Sequence, residues 1–452
     1  MPKYLLFLVQ QHLNFRKAEL ESLADLYNIN LDFSTYSDDS PFFIVDLPND
    51  ETASKLVERS ILSKGIYELY AQDKNYELLH SRLSENNKVL DEIESAYKSS
   101  TFKFDFQYYG GKKKYTKSTQ IKKINEFTYL PLKGTIDLRS PQVTFTILEY
   151  FEMLTPQKSK DEPSQIFFTR LVSPSLRTRG DTILDIYALK NRPFRGTTSF
   201  EAELSLVTCN ISQVKPFCLM YDPFVGTGSF LVTAAEFGAL CLGSDIDGRM
   251  IRGNTLRTPS TTTNDVAKYI TNGISQNFEY YGKSLQLLDV MTMDFTHNAL
   301  KSDLVIDCII CDPPYGIREG IKVLGSKVPN KIDPTIIKDG VLAYLHKDYI
   351  PTKKPYSLDL LLDELLDFAS QRLSIGGRLC FWMPTANSCD IETIIPLHKN
   401  LELKYNCVQN FNKWSRRLLC YINRGNNYNG PCNIGKTRIN ENFRDQYFKG
   451  FN

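Results

Sequence analysis

Residues 217–229 read FCLMYDPFVGTGS, an apolar run that leads into a glycine turn. A helical pattern follows and stops at Gly238, a residue type that often terminates helices. Strand, glycine turn and helix in this order are typical of nucleoside-binding α/β units. The turn has only two glycines, and the chain contains no G-x-x-x-x-G-K-[ST] phosphate loop. The stretch therefore predicts a doubly wound, Rossmann-like α/β domain.

The next strand-like run ends at Asp245. Asp245 lies about twenty residues after Asp222, the spacing at which an acidic residue reaches the ribose hydroxyls of a bound nucleoside. A carboxylate accepts hydrogen bonds from both hydroxyls, and its charge repels a phosphorylated ribose. The sequence thus favours an adenosine-type ligand without a phosphate chain.

The tetrapeptide Asp312-Pro313-Pro314-Tyr315 follows another apolar run. Prolines lack an N–H group and hold the backbone extended, so the Asp312 carboxylate and the Pro313 carbonyl remain available as hydrogen-bond acceptors. Two acceptors beside an aromatic ring suit a planar base that carries an exocyclic amino group. A proline-stiffened turn is the alternative interpretation of this tetrapeptide taken alone.

These motifs in this order resemble the class I S-adenosylmethionine-dependent amino-methyltransferases. The segments 191–199 (NRPFRGTTS) and 312–319 (DPPYGIRE) are similar, more closely, to the tRNA (guanine-N2)-methyltransferases with an N-terminal THUMP domain, including the eukaryotic catalytic subunits that modify guanosine 10. Related DPPY motifs also serve adenine N6 and cytosine N4 chemistry. A further alternative is an RNA-binding protein whose methyltransferase fold has lost catalysis.

The resemblance implies S-adenosylmethionine as the cofactor, no metal, and a defined set of site residues. Asp312 and the Pro313 carbonyl would accept the two amine hydrogens, and Tyr315 would stack on the base. The residues that would bind the cofactor are Asp222, Phe224, Gly226, Gly228, Asp245, Asp294 and Thr198. Asp247 and Asp289 compete for the ribose and adenine contacts.

Length and charge bound the domain organisation. The 452 residues are 42% hydrophobic and carry a net charge of +2, which predicts two or three cores and nucleic-acid binding by local patches. We expect an α+β, ferredoxin-like unit over residues 1–60, and the resemblance implies a THUMP RNA-binding domain over 61–175. A connector over 176–199 and the methyltransferase domain over 200–452 would follow.

One patch stands out in the predicted THUMP domain. Between Lys103 and Lys123 there are seven lysines and one acidic residue, with tyrosines between them. Phosphate contact with aromatic support explains this pattern, and a solvated loop is the alternative. The predicted RNA-binding residues are Lys112, Lys113, Lys114, Lys117, Arg177 and Arg179.

The cysteines and the N-terminus bear on location. The ten cysteines are scattered, as expected of reduced thiols, and the apolar N-terminal run is too short for a signal peptide or membrane span. The sequence predicts a soluble, cytoplasmic protein. Cys308 and Cys311 form a C-x-x-C, for which a structural role in the strand is favoured over a zinc or redox site.

The last expectations concern a partner and the C-terminal part. The strand over 287–293 is apolar, and the resemblance implies that it lies at an edge of the sheet, which invites pairing with another chain. The resemblance implies a small zinc-binding activator subunit, and the tail over 424–452, predicted to be irregular, is the alternative cover. A helix stopped by Gly376 and Gly377 and a final pair of antiparallel strands complete the prediction.

Overall fold

The computed structural model describes residues 1–110, 115–155, 158–252, 273–317, 320–325, 337–338, 340–342, 351–387, 390–436, 438 and 443–450. The chain divides into two compact units, Met1–Ile183 and Leu184–Asn452. Within the described residues, no helix is long and apolar enough to cross a membrane.

The first unit is an α+β unit built on a six-stranded sheet with the order β2-β1-β3-β8-β5-β4. Its strands are β1 (Lys3–Leu8), β2 (Phe42–Asp46), β3 (Ser63–Asp73), β4 (Phe102–Tyr109), β5 (Val143–Tyr150), β6 (Met153–Thr155), β7 (Lys158–Ser159) and β8 (Gln165–Pro174). Its helices are α1 (Leu13–Tyr27), α2 (Asp50–Val57), α3 (Tyr76–Ser84), α4 (Asn87–Tyr97) and α5 (Lys117–Asn125). Strands β4 and β5 are parallel, and the other neighbouring pairs of the sheet are antiparallel.

Alternation along β1 places side chains on both faces of this sheet. Leu6 and Leu8 pack into the core that α1 and α2 cover, whereas Leu5 and Phe7 pack with Phe167 on the opposite face. Such alternation follows from the two-residue period of a strand. Since β1 pairs with both β2 and β3, strands from both sides of residue 60 share one sheet. The predicted boundary at residue 60 stays a prediction.

The second unit contains a seven-stranded sheet with the order β11-β10-β9-β12-β17-β19-β18. The strands of the unit are β9 (Leu219–Asp222), β10 (Leu240–Asp245), β11 (Leu287–Thr292), β12 (Ile306–Cys311), β13 (Lys322–Leu324), β14 (Ile337–Lys338), β15 (Val341–Leu342), β16 (Lys353–Pro355), β17 (Leu373–Ala386), β18 (Leu401–Asn410) and β19 (Trp414–Asn423). The helices are α6 (Ile183–Ile186), which begins at the border of the units, α7 (Ala202–Ile211), α8 (Ser229–Glu236), α9 (Gly248–Arg252), α10 (Gly273–Tyr280), α11 (Leu358–Arg372), α12 (Ile391–Ile394) and α13 (Phe443–Lys449).

The strand directions confirm the predicted doubly wound α/β class. Strands β11, β10, β9, β12 and β17 are parallel, and β19 and β18 add the predicted antiparallel pair. Chain order reverses at β9, from which β10 and β11 extend to one side and β12 to the other. Ligands of such sheets bind outside the carboxyl ends of the strands at this reversal.

Two predictions for the C-terminal part were wrong. Helix α11 ends at Arg372 and Leu373 already begins β17, so Gly376 and Gly377 lie in the strand region and do not stop the helix. The tail is not irregular throughout, because residues 443–449 form α13. There, Phe443 packs against Trp414 with ring centroids 5.8 Å apart, a contact between residues distant in sequence.

Candidate active site

Three carboxylates lie close together at the carboxyl ends of the parallel strands of the second sheet. Asp222 is the last residue of β9, Asp245 is the last residue of β10, and Asp312 directly follows β12. Because β9 pairs in parallel with both β10 and β12, the carboxyl ends of all three strands lie together. The topology thus assembles residues that are far apart in the sequence.

Glycines and carboxylates shape the turn that follows β9. The φ angles of Gly226 and Gly228 are +49° and +80°, a region that residues with a side chain rarely adopt. The backbone N–H of Phe224 donates to Oδ1 of Asp222, and the N–H of Gly226 donates to Oδ2 of Asp245, both at 2.9 Å. The two carboxylates therefore hold the backbone of the turn in place.

Asp245 uses both carboxylate oxygens in these backbone bonds. Its Oδ1 accepts from the N–H of Asp247 at 2.8 Å, while Asp247 pairs with Arg249 at 2.7 Å. The hydrogen bond from Arg249 lowers the pKa of Asp247, and burial raises the pKa of Asp245. Each oxygen of Asp245 keeps a second lone pair that could accept a hydrogen bond from a ribose hydroxyl. Ribose binding by Asp245 stays a prediction.

Asp294 follows β11 and is buried. Its carboxylate accepts hydrogen bonds from the N–H of Thr296 at 3.0 Å and the N–H of Leu324 at 2.7 Å, and it lies 3.0 Å from Nδ1 of His297. These bonds connect the end of β11 to β13. Asp289, its competitor for the adenine contact, is exposed on β11, and neither assignment is tested.

The tetrapeptide 312–315, which follows β12, places its hydrogen-bond acceptors close together. Pro313 is buried, and the hydroxyl of Tyr315 donates to Oδ1 of Asp312. Oδ2 of Asp312 accepts no hydrogen bond from the residues that the structure describes. Burial raises the pKa of Asp312 to about 6, against the lowering effect of Tyr315 and of the charge on Arg416. Asp312 is thus ionised at neutral pH.

Negative charge accumulates where Asp222, Asp245 and Asp312 lie together, a region that we call the crevice. Burial raises the pKa of Asp222 well above its usual range, and the nearby charges of Asp245 and Asp312 raise it further. None of these three carboxylates forms an ion pair within the described part of the chain. Buried like charges favour protonation or a cationic ligand. The crevice therefore suits a positively charged molecule.

Residues that sequence reasoning missed support the glycine turn. Thr198, predicted to bind the cofactor, is exposed, whereas the Oγ of its neighbour Ser199 lies 2.7 Å from Oγ1 of Thr227. Arg192 is buried and donates through Nη1 to Oγ of Ser229 at 2.8 Å. Arg192 and Ser199 both belong to the NRPFRGTTS segment, which is the signal in the sequence that points to them.

Two more site residues come from distant parts of the chain. Asn277 of α10 is buried, accepts from the N–H of Phe194 at 2.9 Å and donates to its carbonyl at 2.8 Å. Arg416 of β19 lies near Asp312 and Tyr315; burial raises the pKa of both groups, and the charge on Arg416 opposes that rise. No motif surrounds Asn277 or Arg416, so nothing in the sequence singles them out.

Comparison with known proteins identifies the family. Residues 2–177 match the model of the Tmrp11 THUMP N-terminal domain, and residues 190–332 match that of the RMKL-like methyltransferase domain. The tRNA (guanine(10)-N(2))-methyltransferase of Saccharomyces cerevisiae is 54% identical over 456 residues, with 100% of both chains covered. The chain belongs to this methyltransferase family.

Other comparisons extend over most of the chain. The human tRNA (guanine(10)-N(2))-methyltransferase is 31% identical, with 99% of this chain and 95% of the human chain covered. Among solved structures, TrmN from Thermus thermophilus matches 93% of this chain and 99% of its own, with 16% identity and a TM-score of 0.42.

The crevice of this family member fits S-adenosylmethionine, the methyl donor of class I methyltransferases. A Cβ atom at Gly228 would lie 3.0 Å from the side chain of Ile274, and the φ of +80° also disfavours a side chain, so glycine suits this turn. The acidic crevice complements a sulfonium and an ammonium group. Within the described residues, no group of three or more His, Cys, Asp or Glu side chains could hold a metal ion, and Cys308 and Cys311 are both buried in β12.

The predicted RNA-binding residues of the family member lie in the first unit. Lys112, Lys113 and Lys114 lie outside the described residues. Lys117 begins α5 and is exposed, as is Arg179. Arg177 is partly buried and donates to the carbonyl of Ile61 at 3.2 Å. Lys117 and Arg179 are therefore accessible to a large ligand, and RNA binding by these residues stays a prediction.

Proposed function

We propose that the chain transfers a methyl group from S-adenosylmethionine to the exocyclic N2 amine of a guanosine, at position 10, in tRNA. The observation that carries this proposal is the placement of Asp312 and Pro313 at the carboxyl end of β12, beside the glycine turn after β9. The name of the relatives, tRNA (guanine(10)-N(2))-methyltransferase, supports guanine as the base and tRNA as the substrate.

The chemistry depends on alignment more than on activation. The lone pair of the guanine amine is delocalised into the ring, whereas bound S-adenosylmethionine supplies a strongly electrophilic methyl group. Oδ2 of Asp312 and the carbonyl of Pro313 accept the two amine hydrogens, which turns the nitrogen lone pair out of the ring plane. Tyr315 stacks on the base, which must leave its helix to reach the crevice. Correct alignment of this kind accounts for a large part of catalysis.

Asp312 has a second task in this proposal. Positive charge builds on the amine nitrogen during transfer, and an ionised carboxylate stabilises that charge. With a pKa of about 6, Asp312 is ionised at neutral pH and is basic enough to take the proton that the nitrogen releases. The same carboxylate therefore orients the amine and removes its proton.

The remaining crevice residues would hold the cofactor. Asp222 faces the ammonium group, and the backbone at Gly226 and Gly228 approaches the amino-acid part. Asp245 accepts from the ribose hydroxyls, and Asp294 is proposed for the adenine amino group. Phe224, which packs against Phe295 with ring centroids 5.4 Å apart, and Thr198 complete the proposed cofactor-binding set.

We also propose an activator subunit on the exposed edge of the sheet. Strand β11 is the terminal strand, and 52% of Leu288 is exposed, so an added strand would satisfy the backbone and cover apolar surface. The described contacts of the tail lie elsewhere, since Arg438 pairs with Asp359 and Asp363 of α11. A small zinc-binding protein is the partner that the family resemblance suggests, and the cytoplasm is the proposed location.

Purified protein, alone and co-expressed with the activator, tests both parts. Treated tRNA is digested, and its nucleosides are analysed by mass spectrometry for N2-methylguanosine. Methylated adenosine or cytidine would favour the alternative amino-methyltransferases, and no product with intact cofactor binding would favour the catalytically silent RNA-binding protein.

For the partner, Leu288→Asp should abolish co-purification of the activator. Leu360→Asp, an equally exposed apolar position on α11, is the matched control and should retain it. A well-behaved, fully active monomer purified alone would rule the partner out.

A further inference from the structure

Arg416 lies at the same end of the sheet as Asp312. Strand β17 runs parallel to β12 with Phe381 opposite Cys311, and β19 runs antiparallel to β17 with Arg416 opposite Pro384. Asp312 follows Cys311 directly. The two charged residues therefore flank the carboxyl end of β17, although they are far apart along the chain.

The guanidinium of Arg416 is held from several sides. It lies 4.2 Å from the ring centroid of Phe200 and 4.7 Å from that of Trp382. Its Nε and Nη2 donate to Oε1 of Gln409 at 3.0 and 2.6 Å, and Nη2 donates to Oε1 of Glu201 at 3.3 Å. Only 16% of its side chain is exposed. A planar guanidinium fixed between rings and acceptors has one well-defined position.

In that position, Arg416 lies near Asp312 and Tyr315, which are proposed to bind the base. The guanidinium lies close enough to Tyr315 to oppose the rise in its pKa that burial causes, and the Tyr315 hydroxyl donates to Oδ1 of Asp312. Among the described residues, the charged and titratable groups that interact electrostatically with Asp312 are Tyr315 from its own loop, Arg416 from β19, Asp222 from β9 and the Cys311 thiol. Among these groups, Arg416 carries the positive charge.

We propose that Arg416 is a positioning residue for methyl transfer, which holds the Tyr315 hydroxyl against Asp312 and keeps the Asp312 carboxylate ionised when the base amine binds. This inference rests on the proposed function. Asp312 has to be a carboxylate to accept the amine hydrogens, yet it lies in a buried site beside another carboxylate. The fixed cation offsets both effects without touching the substrate.

The test compares Arg416→Gln, Arg416→Lys and the matched control Arg424→Gln. Arg424 follows the opposite end of β19 and pairs with Glu402, so its loss removes the same charge far from Asp312. The rate constant kcat is measured against pH, from about 5 to 9, with saturating S-adenosylmethionine and tRNA.

For Arg416→Gln we expect the acid limb of kcat to move from about pH 6 to about pH 7, since a nearby opposite charge lowers a carboxyl pKa by about one unit or more. At pH 6 this corresponds to a several-fold loss of kcat. Arg416→Lys should return the limb toward the wild-type position, and Arg424→Gln should not move it. Affinity for S-adenosylmethionine should stay within about two-fold in every variant, which also reports that the site is folded.

An unmoved acid limb in Arg416→Gln, or an equal shift in the glutamine and lysine variants, would overturn the inference. A readout without turnover separates it from the proposed function: infrared difference spectra against Asp312→Asn follow ionisation of the Asp312 carboxyl. If the wild-type protein made no N2-methylguanosine but Arg416→Gln still raised the infrared midpoint, the proposed function would fail while the effect of Arg416 on Asp312 stood. An unchanged midpoint would refute that effect whatever the product.

Discussion

The buried cluster around Arg170 in the first unit is paired, whereas the carboxylates at the candidate active site of the second unit are not paired within the described residues. In the first unit, Nη2 of Arg170 lies 2.7 Å from Glu68 and 2.6 Å from Asp50. At the carboxyl ends of β9, β10 and β12, the three carboxylates form no ion pair within the described residues. Arg438 pairs with Asp363 of α11 in the second unit, so the contrast lies between these paired scaffold clusters and the site, and not simply between the two units.

The difference provides a physical criterion for a functional site, namely neighbouring carboxylates without an ion-pair partner. In a buried ion pair, the attraction between the two charges offsets part of the free-energy cost of removing each of them from water. Three neighbouring carboxylates with raised pKa values disfavour the folded, ligand-free state, and clusters of this kind concentrate at functional sites. Substitutions should therefore affect activity in one cluster and stability in the other.

The largest effect is expected for Asp312→Ala. It removes the group aimed at the charge that develops on the amine, so kcat should fall about 1,000-fold. Affinity for S-adenosylmethionine, measured by calorimetry, should change less than about two-fold, since Asp312 acts on the base. A variant that methylates tRNA at nearly the wild-type rate would show that the role given to Asp312 is wrong.

Arg170→Ala should act on stability instead. It leaves Glu68 buried without its partner, and the free energy of unfolding of the first unit should fall by about 3 kcal/mol in denaturant titrations. Affinity for S-adenosylmethionine should not change. The exposed Arg139 provides the control, because Arg139→Ala should change the free energy by less than about 0.5 kcal/mol. Equal effects of the two substitutions would erase the contrast between scaffold and site.

Asp245→Ala should weaken cofactor binding by about 10- to 100-fold, through loss of the ribose bonds and of the acceptor that holds the Gly226 N–H. Calorimetry with S-adenosylmethionine measures the effect, and Asp247→Ala is the comparison. Unchanged affinity in Asp245→Ala together with a loss in Asp247→Ala would move the ribose role to Asp247.

The smallest effect is expected for the lysine segment, whose charges are distributed. Replacing Lys112, Lys113 and Lys114 with Ala should weaken tRNA binding about ten-fold and reduce the slope of log K against log salt by about two. Cofactor affinity should stay constant. The control removes three exposed lysines of the same unit, Lys17, Lys55 and Lys88. An identical salt titration for wild type and the 112–114 variant would support a solvated loop.

Local motifs made much of the second unit predictable. The glycine turn requires φ values that glycine adopts easily, and Asp312 follows an apolar run that is typical of a buried strand. Asp222, Asp245 and Asp312 could therefore be placed at strand ends from sequence, and the structure brings them together. The edge position of β11 was also predicted correctly, because its place follows from the order of strands in this fold class.

Errors arose where local signals compete with packing. Gly376 and Gly377 resemble a helix stop, yet pairing of β17 with β12 and β19 takes the chain into the sheet before it reaches them. The Asn- and Gly-rich tail looks irregular, but Phe443 finds an aromatic partner in Trp414 and lies at the start of α13. Ser199 contacts Thr227 of the glycine turn, and cofactor binding by the exposed Thr198 stays a prediction.

By itself, the sequence determined the fold class, the two motifs that end β9 and β12, and the acidic character of the crevice, because each depends on residues that are adjacent in the chain. Only the tertiary structure decided which charges are paired, which hydroxyl supports the glycine turn, and that Arg416 lies beside Asp312. Those contacts depend on strand register and side-chain direction across the sheet. These contacts join residues that are distant in sequence and that no sequence motif links, so they become neighbours only in the folded chain.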